Sequence, residues 1–383
     1  MSSSASWGER GSGRRWEMTT LQIREGRILA LFAFDVGDSI DLEAIPAVLR
    51  PERAQIVRQK PAPAYVQYAV PPVEITLADR PVALPTGGVR AAVSARLFDF
   101  GAISLTFSLP APATLAEVAG LAHSLANEVD LTSEARQALQ SVVSEIQPAI
   151  GRLGINDLLE DYYVFQLARC DPALDAETLL RDHARTLAAI LSMERDALSR
   201  QQVDEALRDS ISYSPNDLVL ADWSAALVYD TDSADTVAVL EFLNVQLVEL
   251  RFLDTRLDRV LNTYSEVVSR QRRVWRELLD PHRTAIRALS ALTVETSRLS
   301  ERVENAVKLV PDVYLARVHR RSAARLGLPT WERIVQSKLE AVRHLTTVLS
   351  ERAAARRAEL LEAAIIALIA LEIVLALVGR LGR

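Results

Sequence analysis

A heptad seam dominates the second half of this 383-residue chain. Large side chains recur at alternating three- and four-residue steps through Leu240, Leu243, Leu247, Leu250, Leu257, Leu261, Tyr264, Val268, Trp275 and Leu278, with Asp254 and Gln271 as polar breaks. A strand repeats every second residue, so this pattern commits 233–279 to one helix, on the order of 70 Å long at 1.5 Å per residue. Pro281 ends or kinks it. A second helix is expected over 282–309 before Pro311, and a third from Pro329, with Thr330 as its cap, to the C-terminus. Long antiparallel helices sharing one seam would satisfy the pattern, and so would an intermolecular coiled coil. Asp254, inside the seam, would set register or pair with an Arg from a neighbouring helix. Glu241, Asn244, Glu249 and Arg251 decorate the same helix and are expected on its exposed face.

Upstream the periodicity changes. The run from Ile28 to Phe34 is apolar at every position and is bounded by Gly26 and Gly37, which reads as a buried strand. A short extended piece is expected near residues 65–70. Residues 89–98 and 102–109 read as a hairpin whose turn is Asp99, Phe100 and Gly101. Phe34, Asp35, Val36 and Gly37 echo Phe98, Asp99, Phe100 and Gly101, a match too short to define a repeat. Helices are expected over 114–128, 132–147 and 175–192, the last capped by Asp175. Strands are expected at 162–168, 211–213 and 218–229. The fold class is therefore α+β, with a mixed strand and helix head and then long helices. The expected divisions are a leader at 1–20, the head at 21–231, the long-helix region at 232–359 and an apolar helix at 360–381.

That last helix is the greasiest part of the chain. Residues 363–378 contain ten Leu, Ile or Val, five Ala and one charge, Glu372. They give about 24 Å of helix, short of a roughly 30 Å hydrocarbon core until Leu360, Leu361 and Gly379 are added. A membrane helix built on Leu360, Leu361, Ile365, Ile366, Leu368, Ile369, Leu371, Glu372, Ile373, Leu375 and Leu377 is one expectation. Burial in a homo-oligomer core is the other. Ala363, Ala367 and Ala370 form a small-residue stripe that permits close helix packing. The first 17 residues have no hydrophobic core of the kind a secretory signal carries, so they read as a leader or as an early start upstream of Met18. With a membrane helix, the head would lie on the cytoplasmic side of a bacterial inner membrane, bacterial because Arg and Ala dominate and only three lysines occur.

Charge divides the chain. Residues 1–250 hold 20 basic and 35 acidic side chains, whereas residues 251–361 hold 22 basic and 13 acidic. The basic part would attract an anionic surface, lipid or RNA, or else the acidic head itself. Catalytic signatures are missing. The five histidines match no metal spacing, Gly87 and Gly88 lack the rest of a phosphate loop, and one cysteine, Cys170, excludes an internal disulfide. The best carboxylate group is Asp217, Asp222, Asp230, Asp232 and Asp235, where a divalent ion or, more simply, the start of the long helix would account for the acids. No catalytic residue, cofactor or metal ligand is assigned.

Segments 338–349, 357–362 and 365–373 together resemble the C-terminus of the required-for-meiotic-nuclear-division family. Leu361 and Glu362, then Glu372 and Ile373, fall at matching places. Pro311, Asp312 and Tyr314 look like that family's Pro-Asp-aromatic element, and residues 96–101 are similar to one of its strands. The resemblance covers about 311–378. It departs at a missing Trp after the Pro-Asp-aromatic element and at Gln336, where Asn is usual. It implies a membrane-associated protein without known catalytic activity, whose mitochondrial members are linked to organellar translation. The expected function is a non-catalytic, membrane-associated, self-associating scaffold with an unknown protein partner. RNA or ribosome tethering is the alternative, and a metal-dependent enzyme a remote third.

Overall fold

The computed structural model describes residues 21–49, 55–56, 66–68, 70–85, 87–154, 157–269, 307–309 and 313–381, with single positions at 286, 290 and 293. The expected leader and most of the expected helix over 282–309 lie outside these residues.

The fold is built around β1 (Gln22–Asp35). Its side chains alternate, Ile28, Ala30, Phe32 and Phe34 entering one core and Leu29, Leu31 and Ala33 the other. A strand that is apolar in both directions has to be covered on both faces. It pairs antiparallel with β8 (Ala102–Pro110) and β10 (Leu159–Asp171). On the β8 side the sheet continues through β7 (Gly87–Leu97) and β5 (Val73–Thr76) to β3 (Gln55–Ile56), with β6 (Arg80–Leu84) paired to β7. On the β10 side it continues through β12 (Ala225–Tyr229) to β11 (Leu218–Ala221). The β10–β12 pairing is parallel and the others are antiparallel, so the sheet is mixed. Two small ladders flank it, β2 (Gly37–Ile40) with β9 (Ile150–Leu153) and β4 (Val66–Tyr68) with β13 (Val307–Leu309). The second of these places a strand where the sequence pattern had extended a helix to residue 309.

One face is covered by α1 (Ile45–Val48), α2 (Leu115–Asn127), α3 (Leu131–Ile146), α4 (Ala176–Ser192) and α5 (Arg200–Leu207). The starts of α2 to α5 are set by short polar side chains that accept from free N–H groups. Thr114 forms a reciprocal capping box with Glu117, Asp130 accepts from the Ser133 N–H, Asp175 from that of Thr178 and Ser199 from that of Gln202.

The opposite face carries α6 (Ala234–Ser269), α7 (Val313–Arg325) and α8 (Leu328–Leu381). The seam residues Leu240, Leu243, Leu247, Leu250 and Leu257 share a core with Leu29, Leu31, Tyr162 and Val164 of the sheet and with Val335, Leu339 and Val342 of α8. From Leu240 to Leu257 the heptad pattern is thus satisfied within one chain; the side chains of Tyr264, Val268, Gln271, Trp275 and Leu278 lie outside the described set. Asp254, the polar break, receives Lys338 of α8 at 2.5 Å, and Asp258 receives the same ammonium at 2.6 Å. Thr330 does not cap the last helix, which begins at Leu328; its hydroxyl accepts from Arg333 instead (3.1 Å).

Among the described residues no helix is long and apolar enough to cross a membrane. This overturns the expected membrane helix through Leu360, Leu361, Ile365, Ile366, Leu368, Ile369, Leu371, Glu372 and Ile373, and with it the inner-membrane location. The reason lies in the charges. Glu362 and Glu372 bracket nine residues, about 14 Å of helix, less than half of a roughly 30 Å hydrocarbon core. The side chains of Leu375 and Leu377 fall outside the described set.

The two echoing tetrapeptides meet in space. The Val36 N–H donates to the Gly101 carbonyl (3.0 Å), and Asp35 pairs with Ala102 across the β1–β8 ladder. Gly101 has φ +104°, and a Cβ there would lie 1.8 Å from the Gly37 carbonyl oxygen. Gly101→Ala is therefore expected to destabilise the protein by about 3 kcal/mol or more, measured by urea denaturation. Gly88→Ala, where a Cβ meets nothing within 4 Å, should change stability by about 0.5 kcal/mol or less.

Candidate functional site

The most unusual chemistry lies under α6, between that helix and the sheet. Every α6 residue from 238 to 250 is buried. This corrects the expectation that Glu241, Asn244 and Glu249 face solvent, since their relative exposures are 4, 1 and 1%. A helix covered by a sheet on one side and by α7 and α8 on the other has no exposed face along this stretch, so its polar positions are carried inside.

Two acids of this layer have ion-pair partners. Glu241 is held by Arg96 of β7, which also reaches Glu74 of β5 at 3.1 Å. Glu160 at the start of β10 is held by Arg251 of α6, whose guanidinium lies 5.9 Å from the centre of the Trp331 ring. Burial pushes the Glu160 carboxyl up, and Arg251 works against that shift. Asn244 donates to the Glu160 carbonyl (3.1 Å), while its own side-chain oxygen, together with the Ser104 hydroxyl, has no hydrogen-bond partner.

Glu249 differs from the other acids. Neither of its carboxyl oxygens has a hydrogen-bond partner, and Asp35, 2% exposed, leaves its Oδ1 unpartnered as well. Asp35 is the residue of β1 that continues the Leu31, Ala33 row toward α6. Burial pushes the Asp35 carboxyl up to about 7, a rise opposed by the Gly37 N–H, reinforced by Asp38 and opposed again by Arg256. Burial raises Glu249 well above the usual carboxylate range, and the charge of Asp35 adds to it. Nothing in the sequence pattern brings Asp35 and Glu249 together. The one available signal was an Asp directly continuing a two-sided apolar strand.

The acids singled out from the sequence are arranged otherwise. Asp217 accepts from the backbone N–H groups of Tyr213 (2.8 Å) and Ser214, and Asp230 accepts from that of Asp232 (3.0 Å). Burial raises Asp230, with repulsion from Asp217 and Asp232 added. Asp222 stands apart, near Arg325 and Glu205. Among the described residues no three His, Cys, Asp or Glu side chains are grouped so that they could hold a metal ion. Burial pushes the Cys170 thiol up to about 11, which leaves it protonated at neutral pH and a poor nucleophile. A cleft of about 450 Å³ beside α3 presents Asp79, Arg80 and Glu145, but Arg80 is already taken by Glu134 at 2.9 Å.

Residues 25–236 match the family described as "Uncharacterized protein MJ0711, N-terminal domain". The chain belongs to this family. The uncharacterized protein MJ0711 of Methanocaldococcus jannaschii is 22% identical over 241 residues, covering 62% of this chain and 72% of that protein. No solved structure matches the chain. The MJ0711 N-terminal-domain match replaces the resemblance to the required-for-meiotic-nuclear-division family. It falls on the sheet, its helical cover and the first turn of α6, whereas that resemblance rested on 311–378. The relative is archaeal, so the bacterial reading of the Arg and Ala content is also corrected.

The Arg96 pair offers a direct check on the energetics of this layer. Arg96→Met leaves Glu241 buried without its cation, which is expected to cost about 3–5 kcal/mol. Adding Glu241→Gln to that variant should recover part of the loss, read from calorimetric melting of the two proteins.

Proposed function

We propose that this protein is a non-catalytic scaffold whose copies assemble through the far end of α8, each presenting its α+β head to a protein partner. The observation that carries this reading is the surface of that helix end. Leu360, Leu361, Ile365, Ile366, Leu368, Ile369, Leu371, Ile373 and Val374 are 52–66% exposed. At roughly 100 Å² each they offer on the order of 900 Å² of apolar surface, comparable to the ~800 Å² per partner of a standard stable interface. These residues run around the whole circumference, so one partner helix covers only part of them. A helix apolar on every side belongs inside a bundle.

A second copy fits this surface better than an unrelated partner because, beyond Arg356, the apolar rows resume at the heptad positions of an interface the chain already makes. Val335, Val342 and Leu349, buried against the α6 side, are followed at the same heptad position by Arg356 and then by Ala363 and Ala370. Leu339 and Ala353 are followed by Leu360, Ala367 and Val374. The small side chains permit close approach where the α8 ends would meet.

RNA or ribosome tethering draws less support. Four of the 22 cations of residues 251–361 are engaged with acids: Arg251 with Glu160, Arg256 with Asp38, Arg325 with Glu205 and Asp209, and Lys338 with Asp254 and Asp258. The basic region and the acidic head attract each other.

Sedimentation equilibrium of the full chain is expected to give an assembly of more than two copies. The triple variant Ile366→Gln, Ile369→Gln, Ile373→Gln should shift it toward the monomer without changing its circular dichroism. A wild-type chain that sediments as a monomer would overturn this reading.

A further inference from the structure

The Asp35 and Glu249 carboxyls are buried on two different elements, β1 and α6, and three of their four oxygens have no hydrogen-bond partner. Two ionised carboxylates in such a place would repel each other with little solvent to screen them. The charged groups on the surrounding elements do not resolve this. Asp38 on β2 is itself an acid and is paired to Arg152 of β9 (3.5 Å) and to Arg256 of α6 (4.0 Å). Glu160 and Arg251 satisfy each other one strand away. Of these groups, Asp38 and Arg256 act on Asp35, whereas Glu249 feels only Asp35.

We propose that Asp35 and Glu249 form a proton-holding carboxyl pair that fastens α6 to the sheet at neutral pH and releases its grip when the proton is lost. The proton resides on Glu249, because no donor reaches that carboxyl. The negative charge, when present, resides on Asp35, which receives the Gly37 N–H and faces Arg256. Protonating Glu249 removes one of the two like charges, and with it the repulsion against Asp35. Ionising the pair fully sets two like charges against the contact that holds Phe242, Val245 and Val248 of α6 on Ala33, Phe98 and Phe100. This device is independent of how copies of the chain assemble.

The sign of the pH dependence follows from the raised value in the folded state. The contribution is fully present below the ordinary carboxylate range and is lost as pH rises toward the folded-state value. Other raised acids contribute to the wild-type profile, so the comparison is with Glu249→Gln, which keeps shape and a donor but cannot ionise. The ratio of the unfolding constant of wild type to that of Glu249→Gln should rise about tenfold per pH unit between pH 5 and 7, one proton's worth. Asp35→Asn combined with Glu249→Gln should flatten the profile further than Glu249→Gln alone, because Asp35 is raised by its own burial. Difference infrared spectra provide a readout that folding differences do not move: a protonated-carboxyl C=O band at pH 7 that is stronger in wild type than in Glu249→Gln. Parallel pH profiles of the two proteins, or a band no stronger in wild type, would overturn the proposal. Stabilisation of wild type, but not of Glu249→Gln, by millimolar Ca²⁺ or Mg²⁺ at pH 7 would also overturn it, by showing that the pair holds a metal cation and not a proton.

Discussion

Two-sided burial of β1 is the constraint on which the rest of this structure depends. Seven successive residues, Ile28 to Phe34, are apolar, and alternation sends them into two different cores. The sheet therefore cannot be left open to water on either face. Helices α2 to α5 supply one cover. The other has to come from α6, because no other described helix of sufficient length follows the sheet before α7. A long amphipathic helix normally keeps a wet face. Here α7 and α8 close over it, and polar residues of α6 end up in a dry layer where each needs a partner.

This layer explains why the chain looks divided in sequence and is joined in structure. The acidic and basic portions meet across α6 through Arg251 with Glu160 and Arg256 with Asp38, and α8 returns Lys338 to Asp254 and Asp258. The family match ends at residue 236, in the first turn of α6. The shared part is then the sheet with its first helical cover, while the second cover is carried by the remainder of the chain.

Local elements were legible where local chemistry decides them. Asp175 caps α4 as its position suggested, and the hairpin with its Gly101 turn lies where alternation and the Asp99 to Gly101 sequence put it. The stretch 218–229 was read as extended, but not as two strands, because Asp222, Trp223 and Ser224 turn within it without glycine or proline. Helix α5 was missed, its polar sequence showing little beyond the Ser199 cap. The buried acids were misread for a physical reason. Periodicity identifies one buried stripe on a helix but cannot report that the opposite stripe is also covered, since that depends on α7 and α8 packing from far along the chain. Glu241 and Glu249 therefore looked like surface residues.

Helix α6 is an integral layer of the head and not a free helical arm. Native-state hydrogen exchange on the full chain at pH 6 measures this directly. Amides of residues 238–250 should exchange as slowly as those of 28–34 in β1, through the same global opening. Exchange of 238–250 at rates orders of magnitude faster than β1, as in a helix that frays independently, would contradict it.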